Sequence, residues 1–515
     1  MDHRNHRSDK GEDLVKTDAG HLENLRGIAP QQDFKSKLDK KIDRKFDLHI
    51  VPWLFGIWLF AFIDRSNIGN ARVDGLATDL GIATGTTYNL ALLVFYIPYI
   101  LVDVPSNWII KHVKAGYYLP TLITCWGLVS TFVGFTKSLA GLIVARLLLG
   151  AFEGGLLGGI IVYLAMFYRR HQMVRRIGFF YCAAPLSGAF GGLLATGLAR
   201  ISYNGYNRWP WIFFIEGIIT TLFGIICFFT MPHTPAEAKF LTEEESARAL
   251  TRLRLDNHGA AETGDVNQEH FDWHWVKMAF RAPQLWFCCL IWFFLLIPLY
   301  VIMYFSVTPR QEVTDRSQSF SLFLPTIISG LGYTNTVAQL FTVPPNMAAF
   351  FVVLGTSFLS DHLKARGPIM AVGCIVSIAG YIMLLAADQN STRYGGTFLV
   401  AVGIFPSSAM TMGWISNNLA PHYVRATGVG FLIAFSNCAA FVATYIYLAK
   451  DAPRYILGHS ICIGALVLCL ATVCAQMAYC AWENKKRSSG QRDERLRTGE
   501  EYRLGHRHPH FRYTL

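Results

Sequence analysis

Long apolar runs separated by short polar turns set the pattern of this chain from residue 47 to residue 482. Runs of roughly 18 or more residues, mostly without a charge, recur along nearly the whole length, each long enough to cross a hydrocarbon core about 30 Å thick. They predict helices near residues 47–70, 86–112, 117–135, 139–167, 176–199 and 209–231. Six more follow near 284–306, 338–360, 368–387, 394–419, 423–447 and 456–482. The expected fold class is therefore an all-α membrane protein with twelve transmembrane helices in two six-helix bundles.

The polar segments divide the chain further. Residues 1–46 read as an N-terminal tail, 47–231 as the first bundle, 232–281 as a central loop, 282–483 as the second bundle and 484–515 as a C-terminal tail. Within the loop, Thr242 followed by Glu243, Glu244 and Glu245 is a capping-box signal for a solvated helix running to Leu255. A faint internal repeat places similar basic turns, Lys111 to Gly116 and Asp361 to Gly367, after the second helix of each half. Two such halves follow the parallel-repeat plan of major facilitator transporters.

Composition agrees with lipid as the main solvent: 52% of residues are hydrophobic and only 16% charged. The formal charge of +11 resides mainly in the tails and short loops. The positive-inside rule and an anionic leaflet account for it, so no nucleic-acid partner is expected and both termini are placed in the cytosol. The tail before residue 47 lacks the apolar core of a secretory signal. All eleven Cys lie in or beside apolar segments without metal-ligand spacing, so neither disulfides nor a metal centre is expected. No cofactor is called for either.

Among ionisable groups inside predicted spans, where each costs about 2.5 to 3.5 kcal/mol on insertion scales, four stand out. Asp64 and Arg65 lie past the middle of the first helix, and Arg146 and Glu153 lie in the fourth. Residues seven apart on a helix differ by only about 20° in direction, so Arg146 and Glu153 share a face, about 10 Å apart along the axis. Arg65 and Arg146 fall at similar depth, roughly 8 to 10 Å below the outer surface. Two cations at one depth suit an organic anion. Ionised Asp64 and Glu153 would neutralise the two arginines, and protonating the acids would free the guanidiniums for a carboxylate, so proton and anion would travel together. The plainer alternative makes Asp64 and Arg65 a helix-end pair and Arg146 with Glu153 an internal salt bridge.

The second half offers neutral groups: Asn417 and Asn418 beside Trp414, and Ser436 with Asn437. Asn417 and Asn437 are candidates to hydrogen-bond the rest of a solute, or else to tie neighbouring helices. Asp361 reads as a gate latch that caps a neighbouring helix, or as an ordinary solvated acid. Glycines crowd the fourth and fifth helices, notably Gly154, Gly155, Gly158 and Gly159, which lets helices approach closely.

At these residues the chain resembles the anion:cation symporter family of the major facilitator superfamily, particularly its fungal allantoate permease branch. The strings FIDRSNIGNA (62–71), VPSN (104–107), RLLLGAFEGG (146–155), FLPTIISGLGY (323–333) and APRYILGH (452–459) carry the likeness, which runs from about Lys40 to Glu483. The resemblance implies proton-driven uptake of a small carboxylate such as nicotinate, pantothenate, allantoate or a sugar acid. It also implies that Asp64 and Glu153 carry protons while Arg65 and Arg146 bind the substrate. Two departures stand out. The first-half basic turn lacks an acid matching Asp361. In the family a helix-seven pattern like Pro298-Leu-Tyr300 runs directly into one like Ser319 to Pro325, whereas here Val301 to Gln318 intervenes. Codons for that insert can begin with GT, end in AG and hold a branch-point-like CTGAC, as a retained intron would. The competing reading accepts the insert, with Leu285 to Val307 as the span and a surface helix over 320–328.

Other classes fit less well. No GxSxG, HExxH or phosphate loop marks an enzyme. A nutrient sensor with a transporter fold, and a proton-driven drug exporter, remain as alternatives, although buried arginines argue against an apolar drug pocket. The expected protein is a monomeric multi-pass transporter of the plasma membrane, driven by the proton gradient.

Overall fold

The structure is a computed structural model that describes residues 37–82, 87–169, 172–198, 200–203, 206–256, 272–305, 341–363, 365–446, 455–498 and 504–515. The first six spans are α1 (Lys37–Ala71), α2 (Thr87–Val113), α3 (Ala115–Val133), α4 (Leu139–Ala165), α5 (Met173–Ala195) and α6 (Pro210–Thr230). A surface helix α7 (Glu243–Asp256) and a short α8 (Trp273–Phe280) lead to the second six. These are α9 (Pro283–Phe305), α10 (Val343–Leu363), α11 (Gly367–Ala386), α12 (Asn390–Asn418), α13 (Tyr423–Ile446) and α14 (Ile456–Ser488). Eleven of these helices are long and apolar enough to cross a membrane; α3, with polar Thr and Ser along 19 residues, completes the twelve. Two-residue strands β1 (Ser202–Tyr203) and β2 (Tyr206–Asn207) pair antiparallel between α5 and α6.

Each bundle packs alike. In the first, α3 lies on α6, α2 on α4 and α1 on α5; in the second, α11 lies on α12 and α14, and α10 on α12. The halves meet where α2 touches α13 and α5 touches α10, the second and fifth spans of each repeat, and where α5 also touches α12, the fourth span of the second. Successive spans alternate in direction, so Lys37 and Ser488 share one face, called the tail face below; the opposite is the far face.

Several boundaries move from their sequence expectation. α1 begins at Lys37, inside the stretch assigned to the N-terminal tail, because Ile42, Phe46 and Ile50 recur every fourth residue and bury completely. Its polar side is clasped: Arg176 binds Asp47, Arg248 binds Asp39 and Arg252 binds Asp43. The capping box forms as the pattern predicts, the Glu245 amide donating to Thr242 Oγ1 at 3.3 Å and the Thr242 amide to Glu245 Oε2 at 3.0 Å. Burial raises the Glu245 carboxyl, but Lys45, the Thr242 amide and Lys41 outweigh it and hold the group down at about 2. The C-terminal residues 504–515 do not stand off as a solvated tail but fold back on the second bundle. Of the proposed insert, 301–305 continue α9 beyond Tyr300, and the remainder to Gln318 lies outside the described residues.

Candidate functional site

A glycine ridge decides where the charges of α4 go. A Cβ added at Gly150 would stand 2.0 Å from the Phe95 carbonyl oxygen, and one at Gly154 2.6 Å from that of Tyr99. Only glycine permits that approach, so α4 lies backbone-to-backbone on α2. Arg146, one turn from Gly150, and Glu153 are thereby buried at the centre of the first bundle, 4% and 1% exposed.

Arg65 comes to meet them from α1. Its Nε donates to Glu153 Oε1 in a buried ion pair, and its guanidinium carbon lies 5.1 Å from the Tyr99 ring centroid and 5.5 Å from that of Phe62. The pairing therefore differs from the same-helix salt bridge that spacing allows: Glu153 binds Arg65 across helices, and Arg146 keeps Nε and Nη2 buried without a hydrogen-bond partner. Arg65 Nη2 and Glu153 Oε2 are likewise unpartnered. Two guanidiniums thus present unfilled donors at one depth, roughly 9 to 10 Å below the far-face helix ends by the 1.5 Å rise.

Asp64 takes a different place from the one the sequence suggests. It turns toward α3, accepting from Trp126 Nε1 at 3.0 Å and from Ser130 Oγ, and forms no hydrogen bond to either arginine. One turn on, Asn67 Nδ2 donates to Glu216 of α6. Glu216, together with Asp103 of α2, was missed by the sequence reading. Asp103 is fully buried and bonded to Asn107, with Oδ2 unpartnered. Both acids sit inside apolar runs, so the rule that singled out Glu153 also finds them.

The second bundle faces this cluster with neutral groups. Tyr300 meets Tyr96 edge to face with ring centroids 5.7 Å apart, and its hydroxyl donates to Asn437 Oδ1, which brings Asn437 to the same inter-bundle region. Deeper, Ser408 receives Trp292 Nε1 at 2.8 Å and lies 2.5 Å from the Tyr181 hydroxyl, joining α5, α9 and α12. Ser436 donates to the Cys289 carbonyl at 3.1 Å, a tie between helices. Asn417 stands one residue from the tail-face end of α12 and does not join the cluster. Asp361 also lies at the tail face, where Oδ2 accepts the Arg175 amide at 3.1 Å near the start of α5 and Oδ1 meets Arg366 at 3.3 Å. It bridges the two bundles there. Trp108 and Thr427, 3.2 Å apart, add a second bridge.

The chemistry on offer is two buried guanidiniums with unfilled donors and one buried carboxylate, Glu153, with an unfilled acceptor. Among the described residues no group of three or more His, Cys, Asp or Glu gathers as a metal centre.

Known proteins agree with this architecture. A family model for the Major Facilitator Superfamily matches residues 54–444. An uncharacterized transporter of Schizosaccharomyces pombe is 34% identical over 90% of this chain and 87% of its own. The high-affinity nicotinic acid transporter of Saccharomyces cerevisiae is 31% identical over 92% of this chain and 85% of its own. Among solved structures, the proton:xylose symporter XylE bound to a bromo-deoxyglucose aligns with TM-score 0.60 at 14% identity, covering 81% of this chain and 95% of that one. The human organic anion transporter MFSD10 aligns with TM-score 0.57 at 12% identity, covering 83% and 99%.

Proposed function

The chain belongs to the Major Facilitator Superfamily, a transporter and not an enzyme, and from that premise we propose that it is a symporter of a small organic anion with protons. The observation that carries the reading is Arg146, buried with two donors unfilled beside the Arg65–Glu153 pair. Buried cations without partners are costly, and a substrate carboxylate would satisfy them bidentately.

Glu153 supplies the coupling. A carboxylate arriving at Arg65 competes with Glu153 for one guanidinium, and the competition is relieved when Glu153 takes a proton. Anion binding thus raises proton affinity, and by reciprocity protonation raises anion affinity. Asp64, held by Trp126 and Ser130, is the second proton-carrying acid. Asn437 and Tyr300 contact the remainder of the solute from the second bundle. Rocking of the bundles breaks the Asp361 and Trp108 contacts at the tail face, which we assign to the cytosol of a monomeric plasma-membrane protein. The finer placement in the anion:cation symporter family belongs to this proposal, and the yeast relative's name makes nicotinate the first substrate to try.

Proteoliposomes with an acid-outside gradient test it on nicotinate, pantothenate, allantoate, tartrate and sugar acids. Accumulation of at least one, abolished by a protonophore, is expected. Glu153→Gln should retain exchange of internal for external anion but lose accumulation. Accumulation by Glu153→Gln and Asp64→Asn that still follows pH would sink the coupling scheme.

A further inference from the structure

The mechanism above leaves two buried acids of the first bundle unused, Asp103 and Glu216. Glu216 is 5% exposed in the middle of the first bundle, and its partner is a neutral amide. Its place is fixed by glycines that pack α6 onto α3: a Cβ on Gly217 would stand 2.4 Å from Thr131 Oγ1, and one on Gly127 2.6 Å from the Thr221 amide nitrogen. This register sets Glu216 beside the Ser130–Thr131 turn, where Ser130 donates to Asp64. Asn67, one helical turn from Asp64, stands between the two acids.

The unfilled atoms of the pair decide its protonation. Asn67 Nδ2 donates to Glu216 Oε2, which leaves Asn67 Oδ1 and Glu216 Oε1, both buried and both without a partner. If Glu216 is ionised, the two bonded side chains leave two buried acceptors with no donor for either. A single proton on Oε1 turns it into a donor to Oδ1 and closes a cyclic acid–amide pair. The groups packed around Glu216 do not supply a cation: α3 contributes neutral Trp126 and Ser130, α6 contributes Thr220, and α1 contributes the like charge of Asp64, its Arg65 being directed to Glu153.

We infer that Glu216 holds a third exchangeable proton as the acid half of a ring with Asn67, and releases it through Asp64 when the pocket opens to water. In that step the Glu216 Oε1–H bond breaks, the proton passes to an ionised Asp64 oxygen, and Asp64 delivers it to solvent. The inference rests on the symport reading above.

The test is the number of protons carried per anion, read from steady-state accumulation under an imposed pH difference with the membrane potential clamped. Each coupled proton contributes a tenfold accumulation per pH unit. Glu216→Gln keeps the ring, because its amide donates to Asn67 Oδ1 and accepts from Nδ2, so folding and anion exchange should change less than about twofold. Accumulation at a one-unit difference should fall about tenfold. An unchanged accumulation ratio would overturn the inference and leave Glu216 as a tie between helices. Should the variant not be recovered folded, the wild type and Asp103→Asn decide together: three protons per anion in both require a site beyond Asp64, Glu153 and Asp103, whereas two in the wild type leave no place for Glu216. Accumulation driven by sodium in place of protons overturns it too, since the unfilled oxygens would then serve a metal cation and not a proton. A wild type that accumulates no carboxylate under a proton gradient takes the symport reading down with it.

Discussion

The two bundles share one architecture and divide the chemistry unequally. The first gathers Asp64, Arg65, Asp103, Arg146, Glu153 and Glu216 within its buried interior, while the second meets them with Tyr300, Asn437, Trp292 and Ser408. Insertion of a charge into a span is expensive wherever it occurs, so a repeat that had only to fold would hold few in either half. Under the proposed function, the imbalance assigns charge recognition and proton exchange to one repeat. The other would then supply shape and neutral hydrogen bonds that discriminate among carboxylates.

The most direct way to break this division is to remove the unpartnered cation. Arg146→Ala deletes donors that no other residue replaces, and loss of a buried charge contact is worth about 2 to 5 kcal/mol. Carboxylate uptake should fall by roughly thirtyfold to a few thousandfold, a change of about 1.4 kcal/mol being tenfold. Arg146→Lys should rescue little, because an ammonium presents no planar fork. Uptake measured in proteoliposomes at saturating gradient checks both, and a robust Arg146→Ala would move substrate recognition elsewhere.

The second bundle predicts a smaller and different effect. Asn437→Ala removes one neutral hydrogen bond and loosens Tyr300, which amounts to about 1 kcal/mol. The apparent KM should rise by roughly fivefold to tenfold with little change in the proton dependence. Competition among carboxylates of different size is the sharper measurement, since selectivity should relax while coupling persists. A shifted pH profile in this variant would mean that proton exchange is not confined to the first bundle.

How much of this was legible beforehand depends on whether a relationship lies along one helix or between helices. Apolar length announced the spans, the Thr242–Glu245 spacing announced α7, and the separation of Arg146 from Glu153 placed both on one face. Spacing cannot say which acid an arginine meets across a gap. That is set by how closely α4 approaches α2, and thus by Gly150 and Gly154, whose contacts appear only once the helices are packed. So the Arg65–Glu153 pair, the turn of Asp64 toward Trp126 and the link from Asn67 to Glu216 all emerged from packing. Asp103 and Glu216 were missed for a different reason. Each is a single acid in an otherwise apolar run, without a neighbouring cation to draw notice.

At the tail face the division reverses, and the smallest transport effect is expected there. Arg487 of α14 is buried beside Glu483 and donates to the carbonyl oxygens of His506, at 3.1 Å, and Phe511, at 2.6 Å, and to the Tyr513 hydroxyl at 2.7 Å. Asn418 accepts the Thr514 amide at 2.9 Å, Trp414 donates to the Thr514 carbonyl at 2.8 Å, and the Arg366 amide donates to Leu515 at 2.5 Å. Arg366 also pairs with Asp361, so the last residue of the chain sits one contact from the bridge between the bundles. Deleting 504–515 strips most of the hydrogen bonds from Arg487 and leaves a buried guanidinium to Glu483 alone. With these six bonds contributing about 1 kcal/mol each and a shift of about 1 °C per kcal/mol for a chain of 515 residues, the melting temperature in detergent should drop by roughly 3 to 8 °C. Anion affinity should change less than about twofold, because no atom of this segment approaches Arg65 or Arg146. A loss of binding comparable to that of Arg146→Ala would show instead that closure at the tail face sets the geometry of the charged site, and the two bundles could no longer be treated as separable.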